Sequence, residues 1–317
     1  MIGDADMAPP YRKQNYHHRR MPAMDTRFPE PDISLIHAMV ARQFPEWARL
    51  EIRPVNVSGW DNRTFHLGDT LLVRMPSAEH YVAQVEKEQR WLPILSRSIS
   101  LSIPMPVAQG MPCAEFPHPW SIYKWLPGET LSSSPGVDQL HLAKSLAEFL
   151  RELQAISTTD APRTGVHCFF RGANLSVYDA ETQQAIASLA GVVDVDAAST
   201  VWNVALDCPY KGAPVWFHGD IAPGNLLMTD GKLSAVIDFG CCGVGDPACD
   251  LAFAWMDLET DARECFLGEV GSDANMTSRA LGWALWKALI TAVDCVDRDA
   301  QSWHRSMKTI RNVLQVA

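Results

Sequence analysis

The stretch VWFHGDIAPGNLLMTDGKLSAVIDFG, residues 215–240, constrains this chain more than any other. Two apolar runs flank Asp230-Gly231, a dipeptide suited to the positive backbone angles of a two-residue hairpin turn. A turn centred there pairs Thr229 with Lys232 and, counted outward, Asn225 with Val236. Side chains alternate faces along a strand, so Asp238, two residues past Val236, points to the face that Asn225 occupies. Asp220 enters the same open end from the turn-rich segment HGDIAPG. Two carboxylates and an amide oxygen thus converge at the mouth of one hairpin.

Oxygen donors without a His or Cys companion suit a hard cation such as Mg²⁺. Mg²⁺ held by one or two protein oxygens, with phosphate completing its shell, is the usual nucleotide arrangement. Alone, each of the three residues reads as a turn cap or strand end. Together they point to a phosphoryl-transfer site.

The rest of the chain divides by character. Residues 33–44 show helical apolar spacing at Ile33, Ile36, Met39 and Val40. Short apolar segments around Gly68-Asp69 read as the start of an antiparallel sheet. Tyr81, Val85, Leu92 and Leu95 form one helical stripe. The frequent prolines of residues 103–119 predict edge strands and turns, and WSIYKWL, residues 120–126, a short strand. From there the pattern turns helical: Leu142, Leu146, Phe149, Leu153 and Ile156 mark a long amphipathic helix. Residues 183–189 and 201–206 and the chain after Asp246 also read as helical. The expected boundary lies near residues 123–128, giving a sheet-rich part at 25–122 and a helix-rich part at 123–317. Residues 1–24 have almost no aliphatic side chains and read as a disordered tail, with Met1, Met7, Met21 or Met24 as the start.

A length of 317 residues supports two packed lobes. A net charge of −10 argues against nucleic acid and anionic membrane as main partners, while a cationic small molecule fits it. No run of about 18 apolar residues suggests a membrane span. Eight cysteines without a C-x-x-C spacing read as free thiols of a cytoplasmic protein, not as a zinc site. Oligomeric state has no sequence signature here.

His218-Gly219-Asp220-Ile221-Ala222-Pro223-Gly224-Asn225, followed by Ile237-Asp238-Phe239-Gly240 and by Gly245-Asp246-Pro247-Ala248-Cys249-Asp250-Leu251-Ala252, resembles the aminoglycoside phosphotransferase family. That family is related to protein kinases and choline-type kinases. The resemblance runs over about residues 57–292. It implies an α+β, bilobal, protein-kinase-like fold with an N-terminal antiparallel-sheet lobe and a mainly helical C-terminal lobe. It implies ATP, or GTP, as phosphate donor and Mg²⁺ as the metal. Asp220 then accepts or orients the proton of the attacking hydroxyl, and Asn225 and Asp238 hold Mg²⁺. His218 and Asp250 support the loop, and Asp246 with Pro247 opens a helix.

The same resemblance implies a cation on an N-terminal strand, paired with a carboxylate on the next helix. Arg74 in LLVRMP is the cation, where most relatives carry Lys. Periodicity selects Glu88 over Glu86, because Glu88 lies within the apolar stripe and a carboxylate there wants a partner. Ser58 and Asn62 stand where kinases carry a glycine-rich loop, and backbone groups near Tyr123 and Trp125 are implied to contact the base. Six acids between Asp257 and Asp273 face one Arg263, so Asp257, Glu259 and Asp261 are candidates for binding a cationic acceptor. Trp255, Trp283 and Trp286 read as core. The expected activity is transfer to a hydroxyl of an aminoglycoside-type or macrolide antibiotic. A metabolic kinase for choline, a sugar or homoserine and a nucleotide-binding pseudokinase remain alternatives. A protein kinase fits poorly, since Ala222 stands where those enzymes place Lys and no A-P-E segment follows Gly240.

Overall fold

Asp32 accepts a hydrogen bond from the Ser34 N–H and opens helix α1 (Ile33–Gln43), whose Ile36, Met39 and Val40 are buried. In the computed structural model, which describes residues 27–55, 59 and 61–316, this helix packs beside a five-stranded sheet. The expected tail and Ser58 lie outside the described residues. The strands are β1 (Ile52–Pro54), β2 (Asn62–Leu67), β3 (Leu71–Pro76), β4 (Pro106–Gly110) and β5 (Trp120–Lys124). Their order is β1-β2-β3-β5-β4, antiparallel throughout. The proline-spaced β4 is an edge strand, where a missing N–H costs no ladder bond. The apolar β5 sits inside, its first four residues buried.

Helix α2 (Glu79–Leu95) follows β3 and carries Glu88 inward, while Glu86 is exposed. It belongs to both halves of the molecule. Gln89 Nε2 donates to Ala108 O and Ser121 Oγ of the sheet. Trp91, Leu92 and Leu95 instead join the larger apolar core of the helical part, where the Trp91 and Trp216 rings meet at 5.1 Å. A second, smaller core lies between α1 and the sheet.

Beyond β5, strand β6 (Glu129–Thr130) leads to α3 (Gln139–Ala155), capped by Asp138 and burying Leu142, Leu146, Phe149 and Leu153. Helices α4 (Asp179–Ser188) and α5 (Val195–Leu206) come next, then β7 (Val215–Phe217), β8 (Leu226–Thr229), β9 (Lys232–Val236) and β10 (Gly243–Gly245). Strand β7 pairs with β10, and β8 lies between β6 and β9. The chain closes with α6 (Ala248–Leu251), α7 (Phe253–Met256), α8 (Thr260–Val270), α9 (Ala274–Asp294) and α10 (Gln301–Leu314). Helix α9 is buried almost all round from Arg279 to Ile290 and packs against α4, α5, α6 and α10. Trp255, Trp283 and Trp286 are core residues.

The β8–β9 hairpin departs from the register counted from its turn. Thr229 pairs with Lys232 and Met228 with Leu233, but the register then shifts, so that Leu226 rather than Asn225 faces Val236. Ser234 is the extra residue of a β-bulge, and its Oγ donates to Leu227 O. The Ile237 N–H bonds to Asn225 O at 2.9 Å, so Asn225 and Asp238 still flank the open end of the hairpin.

The eight cysteines are free thiols. Among the described residues no helix is long and apolar enough to cross a membrane.

Candidate active site

Strand β7 delivers His218, Gly219 and Asp220 to the open end of the hairpin. Gly219 has φ +82°, and a Cβ there would lie 2.6 Å from Cys241 O, so only glycine fits. Asp250 anchors the turn from α6. Its two oxygens accept from the His218 and Gly219 N–H groups, both at 2.7 Å. Burial pushes its pKa up to about 7, against the pull of those two donors. His218 is fully buried, and burial lowers its pKa to about 4. The Asp220 N–H donates to His218 Nδ1 at 3.2 Å, so the ring proton sits on Nε2 and points to Ile237 O at 3.2 Å. The ring is a neutral strut between the Asp220 loop and the strand that leads to Asp238.

Both oxygens of Asp220 are engaged. Asn225 Nδ2 donates to Oδ2 at 3.1 Å and to the Asp220 carbonyl at 2.9 Å. Lys287 Nζ, on α9, donates to Oδ1 at 3.0 Å. Because Asn225 turns its amide nitrogen to Asp220, its carbonyl oxygen is directed elsewhere, and that is the atom a hard cation takes.

Asp238 adopts a left-handed conformation, φ 71°, uncommon for a residue with a side chain and typical of functional positions. Arg74, from β3, links it to α2: Nη1 lies 3.1 Å from Glu88 Oε2 and Nη2 3.6 Å from Asp238 Oδ1. The Tyr123 hydroxyl donates a short hydrogen bond to Glu88 Oε2, and the Arg74 guanidinium lies 5.2 Å from the Tyr123 ring centre. Burial works against the Arg74 charge, but Glu88, Tyr123 and Asp238 outweigh it and raise the pKa. Beside Glu88, the buried Lys87 ammonium donates to Gly240 O at 2.6 Å and Cys242 O at 3.0 Å, and reaches His167 Nδ1 at 3.2 Å. It fastens α2 to the loop after Asp238.

Other sequence candidates are placed differently. Asn62 opens β2 opposite Pro76 and is buried. Tyr123 contributes its phenol to Glu88, as well as backbone at the end of β5. The Trp125 N–H is committed to Thr70 O at 2.8 Å, leaving only its carbonyl for a base. The acidic stretch is not one binding surface. Asp257, one of the residues expected to bind the acceptor, forms a close, half-buried ion pair with Arg305 of α10. Glu259 and Asp261 are exposed at the start of α8, where negative charge complements the helix dipole. Glu269 meets Arg151 of α3 at 3.7 Å, and Asp273 caps α9.

The pattern reading missed four cations. Neither lysine had the signal that exposed Glu88: Lys87 falls off the Tyr81–Val85–Leu92 stripe, and Lys287 sits in a helix segment buried on every side. Arg279 binds Asp246 at 2.7 Å, so Asp246 holds α9 as well as capping α6 through the Ala248 N–H. Arg171 lies in a loop with no periodicity; it is buried, stacks on Trp286 at 4.5 Å and donates to the Tyr178 hydroxyl.

A sheet and a helical part with an Asp-Asn pair and an Arg-Glu pair at their junction define a protein-kinase-like fold. The GDP complex of aminoglycoside 2'-phosphotransferase-IIIa superposes with a TM-score of 0.68 at 17% identity, covering 90% of this chain and 99% of that one. A macrolide 2'-phosphotransferase from Brachybacterium faecium gives 0.58 at 18%, covering 88% and 97%. The sequence profile of the phosphotransferase enzyme family matches residues 51–287, and the chain belongs to that family. Two curated relatives share parts of it. An aminoglycoside 3'-phosphotransferase of Escherichia coli is 40% identical over 80 residues, 22% of this chain and 30% of the relative. One of Streptomyces fradiae is 28% identical over 155 residues, 45% and 54%. The matched region thus spans from under a third to about half the length of these relatives.

Proposed function

We propose that the protein transfers the γ-phosphate of ATP or GTP to a hydroxyl of a small molecule, an antibiotic of the kind its relatives are named for. The observation that carries this is the open end of the β8–β9 hairpin. There Asp220 is held by Asn225, and Asp238 is joined through Arg74 to Glu88.

Asn225 and Asp238 suit Mg²⁺: they offer oxygens only, and two protein ligands leave room for phosphate and water. Held by Asn225 and Asp238, the ion would supply charge neutralisation to the phosphates.

The residues of the chain do the rest. Arg74 presents a fixed positive fork to the phosphates, with Glu88 and Tyr123 setting its orientation. The acceptor hydroxyl oxygen bonds to the γ-phosphorus as the bond to the bridging oxygen breaks, and nucleoside diphosphate leaves. Asp220 orients that hydroxyl and takes its proton. His218 is no base, because both ring nitrogens are committed and the ring is buried. The 25–122 and 123–317 division fits this reading, with the phosphates between the two parts.

The test is ADP or GDP release with Mg²⁺ across aminoglycosides, macrolides, choline and amino-alcohols, with Asp220→Asn as blank. Asp220-dependent turnover with one antibiotic class is the expected result. Turnover confined to choline or an amino-alcohol would replace the antibiotic by a metabolic acceptor. Nucleotide binding without any turnover would leave a regulatory module.

A further inference from the structure

Arg171 is a buried cation beside the site that the phosphoryl-transfer scheme leaves unused. Its loop runs between α3 and α4 and is stitched to the segment around β10: the Thr164 N–H donates to Val244 O at 3.0 Å, and the Asp246 N–H to Gly172 O at 2.8 Å. The stem of Arg171 packs on Gly219, where an added Cβ would lie 3.2 Å from Arg171 Cβ. The guanidinium stacks on Trp286 at 4.5 Å. The chain neighbours of Gly219 and Trp286 are Asp220 and Lys287, which are themselves bonded at 3.0 Å. Arg171 is thus built into the protein beside Asp220.

Its partners are few. Lys87 reaches three acceptors, Arg279 holds Asp246, and Lys287 holds Asp220. Arg171 is 6% exposed, yet its guanidinium makes one hydrogen bond, from Nη1 to the Tyr178 hydroxyl at 3.2 Å, and no ion pair among the described residues. Most of its five N–H donors are left over. Burial works against its charge, and the groups that favour it are Tyr178, Cys241, Asp220 and Cys249. Burial pushes the Tyr178 phenol up to about 12 and both thiols well above their ordinary range, so Asp220 is the anion among them. A buried cation so thinly matched is costly, and such groups gather at functional sites.

The reaction removes even that match. The acceptor oxygen bonds to the γ-phosphorus, the bond to the bridging oxygen breaks with its electron pair on the nucleoside diphosphate, and the hydroxyl proton passes to Asp220. Asp220 is then neutral, and the negative charge beside it sits on the phosphoryl group newly attached to the acceptor. We infer that Arg171 is a further catalytic residue whose spare N–H groups bind the phosphoryl oxygens as the group arrives on the acceptor, a role that rests on the kinase reading of the site and adds to it. Arg74 holds the phosphates on the donor side, and Arg171 receives the transferred group on the acceptor side. A planar fork can serve two phosphoryl oxygens at once.

The test uses aluminium fluoride, which with Mg²⁺ and a nucleoside diphosphate mimics the phosphoryl group in flight and needs no known acceptor. ADP and GDP are titrated with and without it into the wild type, Arg171→Met, Arg171→Gln and Arg171→Lys, and nucleotide hydrolysis by water is followed in parallel. Aluminium fluoride should tighten diphosphate binding to the wild type by about a hundredfold, and the two neutral variants should lose most of that gain while binding the diphosphate alone as before. Hydrolysis should fall by a similar factor. A neutral variant that keeps the wild-type tightening overturns the inference, as does one that weakens binding of the diphosphate alone to the same degree. Should neither neutral variant bind diphosphate, Arg171→Lys decides, because it keeps the charge and loses the fork. A gain about tenfold below wild type then supports the role, and an unaltered gain overturns it. If Arg171→Lys binds no diphosphate either, Arg171 serves the fold and the inference falls. A wild type that does not tighten but hydrolyses nucleotide through Asp220 leaves the hydrolysis rate of Arg171→Met to decide in the same way. A wild type with neither response sinks the kinase reading and this inference with it.

Discussion

Arg74 Nη2 lies 3.6 Å from Asp238 Oδ1, so a strand of the N-terminal sheet is bonded to the loop that leaves the β8–β9 hairpin. The same guanidinium holds Glu88, and a planar fork can serve both carboxylates at once. Lysine keeps the charge but not the fork. Arg74→Lys should therefore retain transfer with nucleotide KM raised by roughly tenfold, and Arg74→Ala should lose more, about a hundredfold in kcat/KM. Steady-state kinetics with varied nucleotide check both. Unchanged nucleotide KM in Arg74→Ala would remove the residue from the phosphate site.

Asp220→Asn should lower kcat by roughly 10²–10⁴-fold, the usual worth of a positioned general base. Nucleotide affinity, measured by calorimetry, should stay near the wild-type value because Arg74 and Glu88 are untouched. The amide keeps one oxygen to accept from Lys287 and is preferred to alanine, which removes that acceptor altogether.

Two buried groups give stability opposite pH dependences. His218 is neutral in the fold, with a pKa of about 4, below its ordinary value. Its contribution is present above about pH 6.5 and is lost as pH falls towards 4, since the unfolded chain takes up the proton first. Asp250 has a folded pKa of about 7, above its ordinary value. Its contribution is present below about pH 4 and is lost as pH rises through 7. Urea unfolding between pH 4 and 8 should show Asp250→Asn losing the second slope and keeping the first. An Asp250→Asn profile parallel to the wild type would contradict the buried-carboxyl account.

Gly219→Ala combines a positive φ with a contact of 2.6 Å to Cys241 O. Strain alone should cost about 1–3 kcal/mol, and the displaced Asp220 should cut activity further. Arg279→Met leaves Asp246 as an uncompensated buried carboxylate and should cost about 3–5 kcal/mol. Denaturant midpoints measure both, and values within about 0.5 kcal/mol of wild type would refute the packing described.

Much of this was legible in the sequence. The hairpin turn, the edge position of β4 and the inward face of Glu88 follow from turn chemistry, proline placement and a 3.6-residue stripe. The register of β8 and β9 was not legible, because Ser234 fits a regular strand and a bulge equally well. Lys287 escaped notice for a different reason. Helix α9 is apolar all round, so no single stripe marks where a charge is out of place. The roles of the acids from Asp257 onward were not legible, because composition does not tell a helix cap from a ligand. Asp257 meets Arg305 only through the tertiary packing of α10, and Asp273 caps α9.

Helix α2 carries a consequence for anyone who would divide this protein. Its Gln89 side chain is bonded to the sheet, while Trp91, Leu92 and Leu95 are bedded in the helical core. A cut in the connection after β5 would leave one fragment with a bare Trp91–Leu95 face and the other with an empty socket beside Trp216. The two fragments should be insoluble apart and recover activity when expressed together. The helix thus serves as a built-in docking peg, and complementation between fragments becomes a practical assay for the integrity of the site.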